Sequence, residues 1–236
     1  MADRMKALDI AGRLKSSRKH IAAFNDKTRF LKTLIGSPRL TGAVSPSGRR
    51  LAQAMARAIG PVRQGLVIEL GPGTGPVTKA LLESGVAPTD LLLVEYDRGF
   101  CSLLAARFPG VRIVQGDAYA LSETLGGLID RPVRAVVSSL PLLNQKREVR
   151  SILFADAFAL MRSDGVFVQF TYGLGSPIPA SDCAGRFAAR ASAPIWRNLP
   201  PARVWTYRLS SSAKPPETMM ARLRRKASLP GSLTRK

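Results

Sequence analysis

Between Leu66 and Ser84 the chain reads LVIELGPGTGPVTKALLES, a stretch that leaves few foldings open. Leu66–Leu70 does not alternate between apolar and polar positions, so it reads as a parallel strand buried on both faces, where Val and Ile pack well on the pleat. Gly71, Gly73 and Gly75 follow it, with one residue between each. Glycine has no Cβ and adopts positive φ freely, so the turn is tight enough for a ligand to lie directly on the backbone. Pro76–Ser84 then restarts as a helix, with Pro76 suited to its first turn.

A strand, a glycine turn and a helix make a cofactor site, and two chemistries compete for it. Dinucleotide folds want G-x-G-x-x-G, so that a pyrophosphate meets the helix N-terminus. Here the spacing is G-x-G-x-G, preceded by Glu69. This resembles motif I of the class I S-adenosylmethionine-dependent methyltransferases, whose loop holds the methionine part of the cofactor and cradles no phosphate. A glycine-rich stretch alone is equally read as a plain tight turn. The next acid weighs against that: Glu95 closes a second apolar run, Leu91–Val94, about twenty residues after the turn. A carboxylate there accepts hydrogen bonds from both ribose hydroxyls; the alternative is a solvated acid at a strand end.

Composition narrows the classes. A chain of 236 residues buries a full core, and one domain with extensions is expected. Two cysteines, Cys101 and Cys183, make no disulfide framework and lack metal-ligand spacing, which fits a reducing compartment. The single histidine, His20, sits in a basic N-terminal segment, so most metal-centred and His-based schemes fall away and no metal is expected. No apolar run approaches the eighteen or so residues that span a bilayer, and the basic N-terminus has no apolar core of a cleaved signal.

The net charge of +20 is concentrated at the ends. Residues 1–50 carry +9 and residues 211–236 carry +6, leaving +5 for the middle. Basic arms on an ordinary body point to a polyanion partner, an anionic membrane or a nucleic acid, and charge does not choose between them. Within the first arm, Phe24, Thr28, Leu31 and Ile35 share one helical stripe, with Asp26, Lys27, Arg29, Lys32 and Thr33 opposite. This amphipathic helix packs on the domain, inserts into a lipid interface, or does both.

Further along, the turn-rich TGAVSPSG of Thr41–Gly48 precedes a helix over Arg49–Ile59, with Ser47 a candidate cap. Phe100–Arg107 reads as a helix and Val111–Val114 as the third strand, followed at once by Gly116-Asp117-Ala118. Arg134–Val137 is the fourth strand and opens into SSLPLL at Ser138–Leu143; Val149–Met161 is a helix and Gly165–Tyr172 the fifth strand. Residues 173–199 read as loops with one short strand, and Arg203–Leu209 alternates as a last strand. The order predicts a doubly wound α/β fold, a mostly parallel sheet flanked by helices. It divides the chain into a basic helical extension at 1–60, a cofactor-binding domain at 61–210 and a basic tail at 211–236.

The motifs together carry a specific resemblance, from about Phe30 to Leu209. TGAVSPSGR at Thr41–Arg49, IELGPGTGPVT at Ile68–Thr78, LLLVEYD at Leu91–Asp97, QGDA at Gln115–Ala118, SSLPLLN at Ser138–Asn144, QFTYG at Gln169–Gly173 and NLPPARVW at Asn198–Trp205 are similar to those of the bacterial phospholipid N-methyltransferases. The resemblance implies a Rossmann-like class I methyltransferase fold. It implies stepwise methylation of phosphatidylethanolamine to phosphatidylcholine, with S-adenosylmethionine as donor and S-adenosylhomocysteine as product. It implies an N-terminal helix, Phe24 to Ile35, that binds anionic membrane, and hence a cytoplasmic enzyme peripheral to the inner face of the bacterial membrane. It also implies that Glu69, Gly71, Gly73, Gly75, Glu95, Asp117 and Ala118 hold the cofactor, with Asp117 at the adenine amino group; a turn aspartate is the plainer reading of that residue. On the substrate side, Tyr172 is expected to lie over the lipid amine and Ser138 and Ser139 to orient the head group, while a rim-packing aromatic remains the alternative for Tyr172.

RNA is the competing substrate. The rRNA adenine dimethyltransferases resemble this chain in fold and in their acid and glycine pattern. They carry N-L-P-Y after the fourth strand, where an amide and an aromatic ring hold a flat base. This chain has Ser139-Leu140-Pro141-Leu142 there, which offers neither.

Overall fold

The strands that read as unbroken apolar runs form the centre of one seven-stranded sheet in the computed structural model. The structure describes residues 46–61, 64–172, 175–183, 186–196, 198 and 200–210. All belong to the second of the two units into which the chain divides, Val44–Lys236. The expected helix Phe24 to Ile35, most of the Thr41–Gly48 loop and the tail at 211–236 lie outside the described residues.

The elements follow in chain order as α1 (Pro46–Ala58), β1 (Leu66–Leu70), α2 (Pro76–Glu83), β2 (Leu91–Glu95), α3 (Arg98–Arg107), β3 (Arg112–Gln115), α4 (Leu121–Thr124), β4 (Val133–Ser138), α5 (Arg147–Leu160), β5 (Met161–Thr171), α6 (Ala180–Cys183), β6 (Phe187–Ala191) and β7 (Arg203–Leu209). The sheet order is β3-β2-β1-β4-β5-β7-β6, parallel from β3 to β5 and antiparallel at β7 and β6. Strand order reverses between β1 and β4, the place where open α/β sheets bind ligands beyond the carboxyl ends of the strands.

Each sheet face has its own core. On one face Val67, Leu93, Val137, Val168 and Val204 meet Leu51, Met55 and Ile59 of α1 and its flank, Leu81 of α2 and Leu104 of α3. On the other, Ile68, Leu70, Val94, Val136, Phe167 and Tyr207 meet Leu121 of α4 and Leu153, Phe154 and Phe158 of α5. Phe154 sits in edge contact with Phe158, Phe167, Phe187 and Tyr207 at centroid distances of 4.8–5.4 Å. Each such fully buried side chain contributes about 1.5–3 kcal/mol of transfer free energy.

Most element bounds differ from the sequence expectation by a residue or two, for local reasons; the larger differences are α1, which begins at Pro46 so that Ser47 lies inside the helix instead of capping it, and β5, which begins at Met161, four residues before Gly165. Asp97 accepts the Phe100 N–H at 3.0 Å and caps α3, which therefore starts at Arg98. Glu95 belongs to β2, paired with Gln115 of β3, and β3 itself is displaced by one residue to Arg112–Gln115. Single turns such as α4 and α6 are too short to show a helical period.

Candidate active site

The three glycines occupy left-handed backbone, with φ of 66° at Gly71, 59° at Gly73 and 82° at Gly75, but they face different surroundings. A Cβ on Gly71 would lie 2.8 Å from Leu140 Cδ2, and one on Gly75 would lie 2.4 Å from Phe108 Cε2, so these two are required by close packing. A Cβ on Gly73 would meet nothing within 4 Å. The space above the middle of the turn is open.

Glu95 holds that turn. Its Oε2 accepts the Gly73 N–H and its Oε1 the Asp97 N–H, each at 3.0 Å, while the carboxylate is 2 % exposed. Arg107 secures the same turn from α3, donating from Nη1 to Thr74 O at 2.8 Å. Asp117 follows closely in space, since Gly116 N–H donates to Glu95 O at 3.0 Å. Its Oδ1 accepts the Tyr119 N–H at 2.8 Å and caps a short 3₁₀ turn that starts at buried Ala118.

Glu69 lies on the α1 side of β1, fully buried. Thr78 Oγ1 donates to its Oε2 at 2.7 Å, and Oε1 has no partner among the described residues. Burial pushes the carboxyl up to about 8; the Thr78 hydroxyl opposes that rise and the neighbouring Glu95 charge adds to it. Glu69 is thus a neutral acid at pH 7 in this state.

At the end of β4, Ser139 N–H donates to Leu70 O at 2.9 Å and brings the Ser138–Leu143 segment against the glycine turn. Ser138 is fully buried, and its Oγ lies 3.4 Å from the Leu140 N–H. Ser138 and Tyr172 do not share a face. Ser138 alternates with Val137 and so faces the α5 side, whereas Tyr172 packs against the α1-side core. Tyr172, half-buried just past β5, lies near the Asn198 side chain and meets Phe170 edge-on at 5.4 Å. Burial holds its phenol above the usual range and the nearby Asn198 side chain opposes that, so it stays protonated at neutral pH.

Two residues at these strand ends escaped the sequence reading. Gln169, paired with Ser138 across β4 and β5, donates from Nε2 to Leu140 O at 2.9 Å and to Phe170 O at 2.8 Å, and so fixes the segment after β4. Its Oε1 is buried without a partner among the described residues. A glutamine within an otherwise apolar buried strand was the available signal. Tyr96, next to Glu95, leaves its ring 51 % exposed.

No family model matches the chain. It is 30 % identical over 132 residues to an ornithine lipid N-methyltransferase of Singulisphaera acidiphila, a match that spans 55 % of this chain and 69 % of that protein. The chain belongs to the class I S-adenosylmethionine-dependent methyltransferases. The fold agrees: a Burkholderia thailandensis 1,6-didemethyltoxoflavin-N1-methyltransferase with bound S-adenosylhomocysteine superposes with a TM-score of 0.56 at 20 % identity, over 81 % of this chain and 90 % of that one. A glycopeptide N-methyltransferase complexed with S-adenosylmethionine gives 0.53 at 16 % identity, over 75 % and 100 %. A ribosomal RNA small subunit methyltransferase A of Rhodospirillum rubrum is 39 % identical over 95 residues, but the match spans only 31 % of its length.

S-adenosylmethionine is this methyltransferase's cofactor. The residues at the strand ends suit it: open space over Gly73, a buried pair of carboxyl oxygens at Glu95, and an unpartnered oxygen at Glu69 accommodate a ligand with hydroxyls and an ammonium. Among the described residues no group of three or more His, Cys, Asp or Glu is placed to hold a metal, and no helix is long and apolar enough to cross a membrane.

Proposed function

We propose that this methyltransferase acts on the amine of a phospholipid head group, converting phosphatidylethanolamine stepwise to phosphatidylcholine at an anionic membrane surface. The observation that carries the reading is the exit of β4. There Leu140 covers Gly71, Leu142 is buried and Leu143 is 49 % exposed, an apolar segment whose Ser139-Leu140-Pro141-Leu142 run has neither the amide nor the aromatic ring that grips a flat base. The lipid-modifying relative supports it, since the match spans 69 % of that protein, whereas the Rhodospirillum rubrum rRNA relative matches over 31 % of its length. The segment Phe24 to Ile35, amphipathic in its sequence, supplies the membrane contact, at the inner face of the membrane.

In this reading Glu95 takes the ribose hydroxyls, Asp117 and Ala118 the adenine, and Glu69 with the glycine turn the methionine end. When bound, S-adenosylmethionine supplies an electrophilic methyl on a sulfonium and leaves as the neutral thioether. The rest falls to the chain. A lipid ammonium has no lone pair, so it must lose a proton to solvent before its nitrogen can form the new C–N bond. Apolar walls at Leu140 and Leu143 favour the neutral amine. The Tyr172 phenol, held protonated, is no base at neutral pH; its ring holds the cation that each transfer regenerates. Ser139, half-buried at the exit of β4, orients the head group, while Ser138, fully buried on the opposite face, supports the backbone of that exit; positioning accounts for much of the rate.

The test is methyl incorporation from labelled S-adenosylmethionine into vesicles of phosphatidylethanolamine with an anionic lipid, beside ornithine lipid and a structured rRNA. Label in phosphatidylethanolamine, resolved as mono-, di- or trimethylated, is expected. Label in RNA alone would overturn the reading.

A further inference from the structure

Helix α1 turns one stripe to the core and another to solvent. Leu51, Ala52, Met55 and Ala56 are buried, while Arg49, Arg50 and Arg57 are exposed around Gln53 and Ala54. Arg49, Gln53 and Arg57 recur every fourth residue, and Arg50 and Ala54 run beside them, so one helical face presents three guanidinium groups. Together with Ile195 these residues line an open groove of about 650 Å³.

Solvent-facing helices usually mix signs, as α2 does with Lys79 and Glu83 3.7 Å apart. Helix α1 contains no acid, and no carboxylate among the described residues pairs with Arg49, Arg50 or Arg57. Concentrating like charge destabilises a helix slightly, so the arrangement is explained by an anion outside the domain. The flank of the groove is distinctive as well. Trp196, adjacent to groove-lining Ile195, is 74 % exposed, the most exposed large apolar side chain among the described residues. An indole in water beside guanidinium groups matches a bilayer interface, where the ring sits at head-group depth and the charges meet phosphates.

The groove is also tied to the cleft. Ile195 pairs with Ala202, closing a loop that carries both Trp196 and Asn198, and the Asn198 side chain lies near the Tyr172 hydroxyl. Tyr172 and Ile195 pack on the same core, on the α1 side of the sheet.

We propose that the α1 groove of Arg49, Arg50 and Arg57, with Trp196 at its flank, is a docking surface of the catalytic domain for the phosphates of an anionic bilayer, which turns the Tyr172 side of the cleft toward the lipid. The proposal rests on the lipid reading above and adds a membrane contact separate from residues 24–35. A planar guanidinium suits bidentate phosphate binding, so arginine rather than lysine is the fitting residue.

The test uses the full chain with vesicles of equal parts phosphatidylethanolamine and phosphatidylglycerol. One variant combines Arg49→Gln, Arg50→Gln and Arg57→Gln; a second is Trp196→Phe. Each arginine near an anionic leaflet is worth about fivefold in binding, so the triple variant binds vesicles about 100-fold more weakly at low salt. Its melting temperature and affinity for S-adenosylmethionine stay at wild-type values, which separates lost docking from lost folding. With brominated lipids in the vesicles, the wild type shows tryptophan quenching that Trp196→Phe removes. Vesicle affinity within twofold of wild type in the triple variant, or an unquenched Trp196, overturns the proposal. So does a triple variant that loses affinity for structured rRNA while holding vesicles. If lipid is methylated and the triple variant docks normally, this surface fails and the lipid reading stands; if docking behaves as expected and no lipid is methylated, the reverse holds.

Discussion

The backbone N–H of Gly73 donates to Glu95 Oε2 at 3.0 Å, so the end of β2 holds the middle of a turn that begins at the end of β1. The other oxygen of the same carboxylate holds the Asp97 N–H. One side chain thereby shapes the turn and, as proposed, receives the ribose.

Glu95→Gln keeps the size of this group but turns an amide N–H₂ toward one of its two donors. A hydrogen bond to a charged group is worth about 1.5–3 kcal/mol, so affinity for S-adenosylmethionine falls roughly 10- to 100-fold. Titration calorimetry reads it directly. Wild-type affinity in this variant sinks the assignment of Glu95 to the cofactor.

Alanine at Gly75 and at Gly73 should fail in different ways. At Gly75 the new Cβ meets Phe108 Cε2 at 2.4 Å on a backbone with φ of 82°, and overpacking plus left-handed strain costs about 2–4 kcal/mol. At Gly73 nothing lies within 4 Å, so only the strain remains, about 1–2 kcal/mol. The Gly73→Ala methyl does fill the space above the turn. Gly75→Ala is therefore expected to lower the melting temperature strongly, and Gly73→Ala to lower it by a few degrees while weakening cofactor binding at least tenfold. Full cofactor affinity in Gly73→Ala would place the ligand elsewhere.

The buried Glu69 makes stability depend on pH. Burial pushes its carboxyl in the fold up to about 8 from the ordinary 4.5, so between those limits the fold retains a proton that the unfolded chain has lost. The stability this affords is fully present below about pH 4.5 and is lost as pH rises through 8, at up to about 1.4 kcal/mol per pH unit. Urea midpoints of the cofactor-free protein should fall from pH 5 to pH 8, and Glu69→Gln, which keeps a neutral polar group of the same shape, should flatten that slope. Parallel slopes in the two proteins would show that Glu69 is already ionised.

The parallel core of the sheet was legible because β1, β2 and β4 are buried on both faces and read as apolar runs, and because the acid closing the second run, Glu95, separates this glycine turn from a plain one. Pairing beyond β5 was not, since the antiparallel register of β7 between β5 and β6 depends on contacts far apart in sequence. Side-chain facing was harder still. Ser138 and Tyr172 both end strands at the cleft, but their places in the two alternations send them to opposite faces. Gln169 could be flagged as a buried amide, yet its bond to Leu140 O spans 29 residues and has no local signature.

Tyr172 offers the sharpest test of the chemistry. Its hydroxyl lies near Asn198, whose Nδ2 donates to Pro200 O at 2.7 Å, and its ring packs edge-on against Phe170. If the ring holds the ammonium, its removal matters most where the bound nitrogen is already methylated and has fewer N–H groups left to bond to water. Tyr172→Ala is expected to lower kcat about tenfold or more, from a desolvated cation–π contact of about 2 kcal/mol, and to leave the mono- and dimethylated lipids as the main products. Tyr172→Phe keeps the ring and loses only the hydroxyl, so its product distribution should match wild type. Chromatography of labelled head groups decides it. Equal losses in both variants would assign the effect to the hydroxyl, and an unchanged distribution in Tyr172→Ala would make the ring a packing residue at the rim.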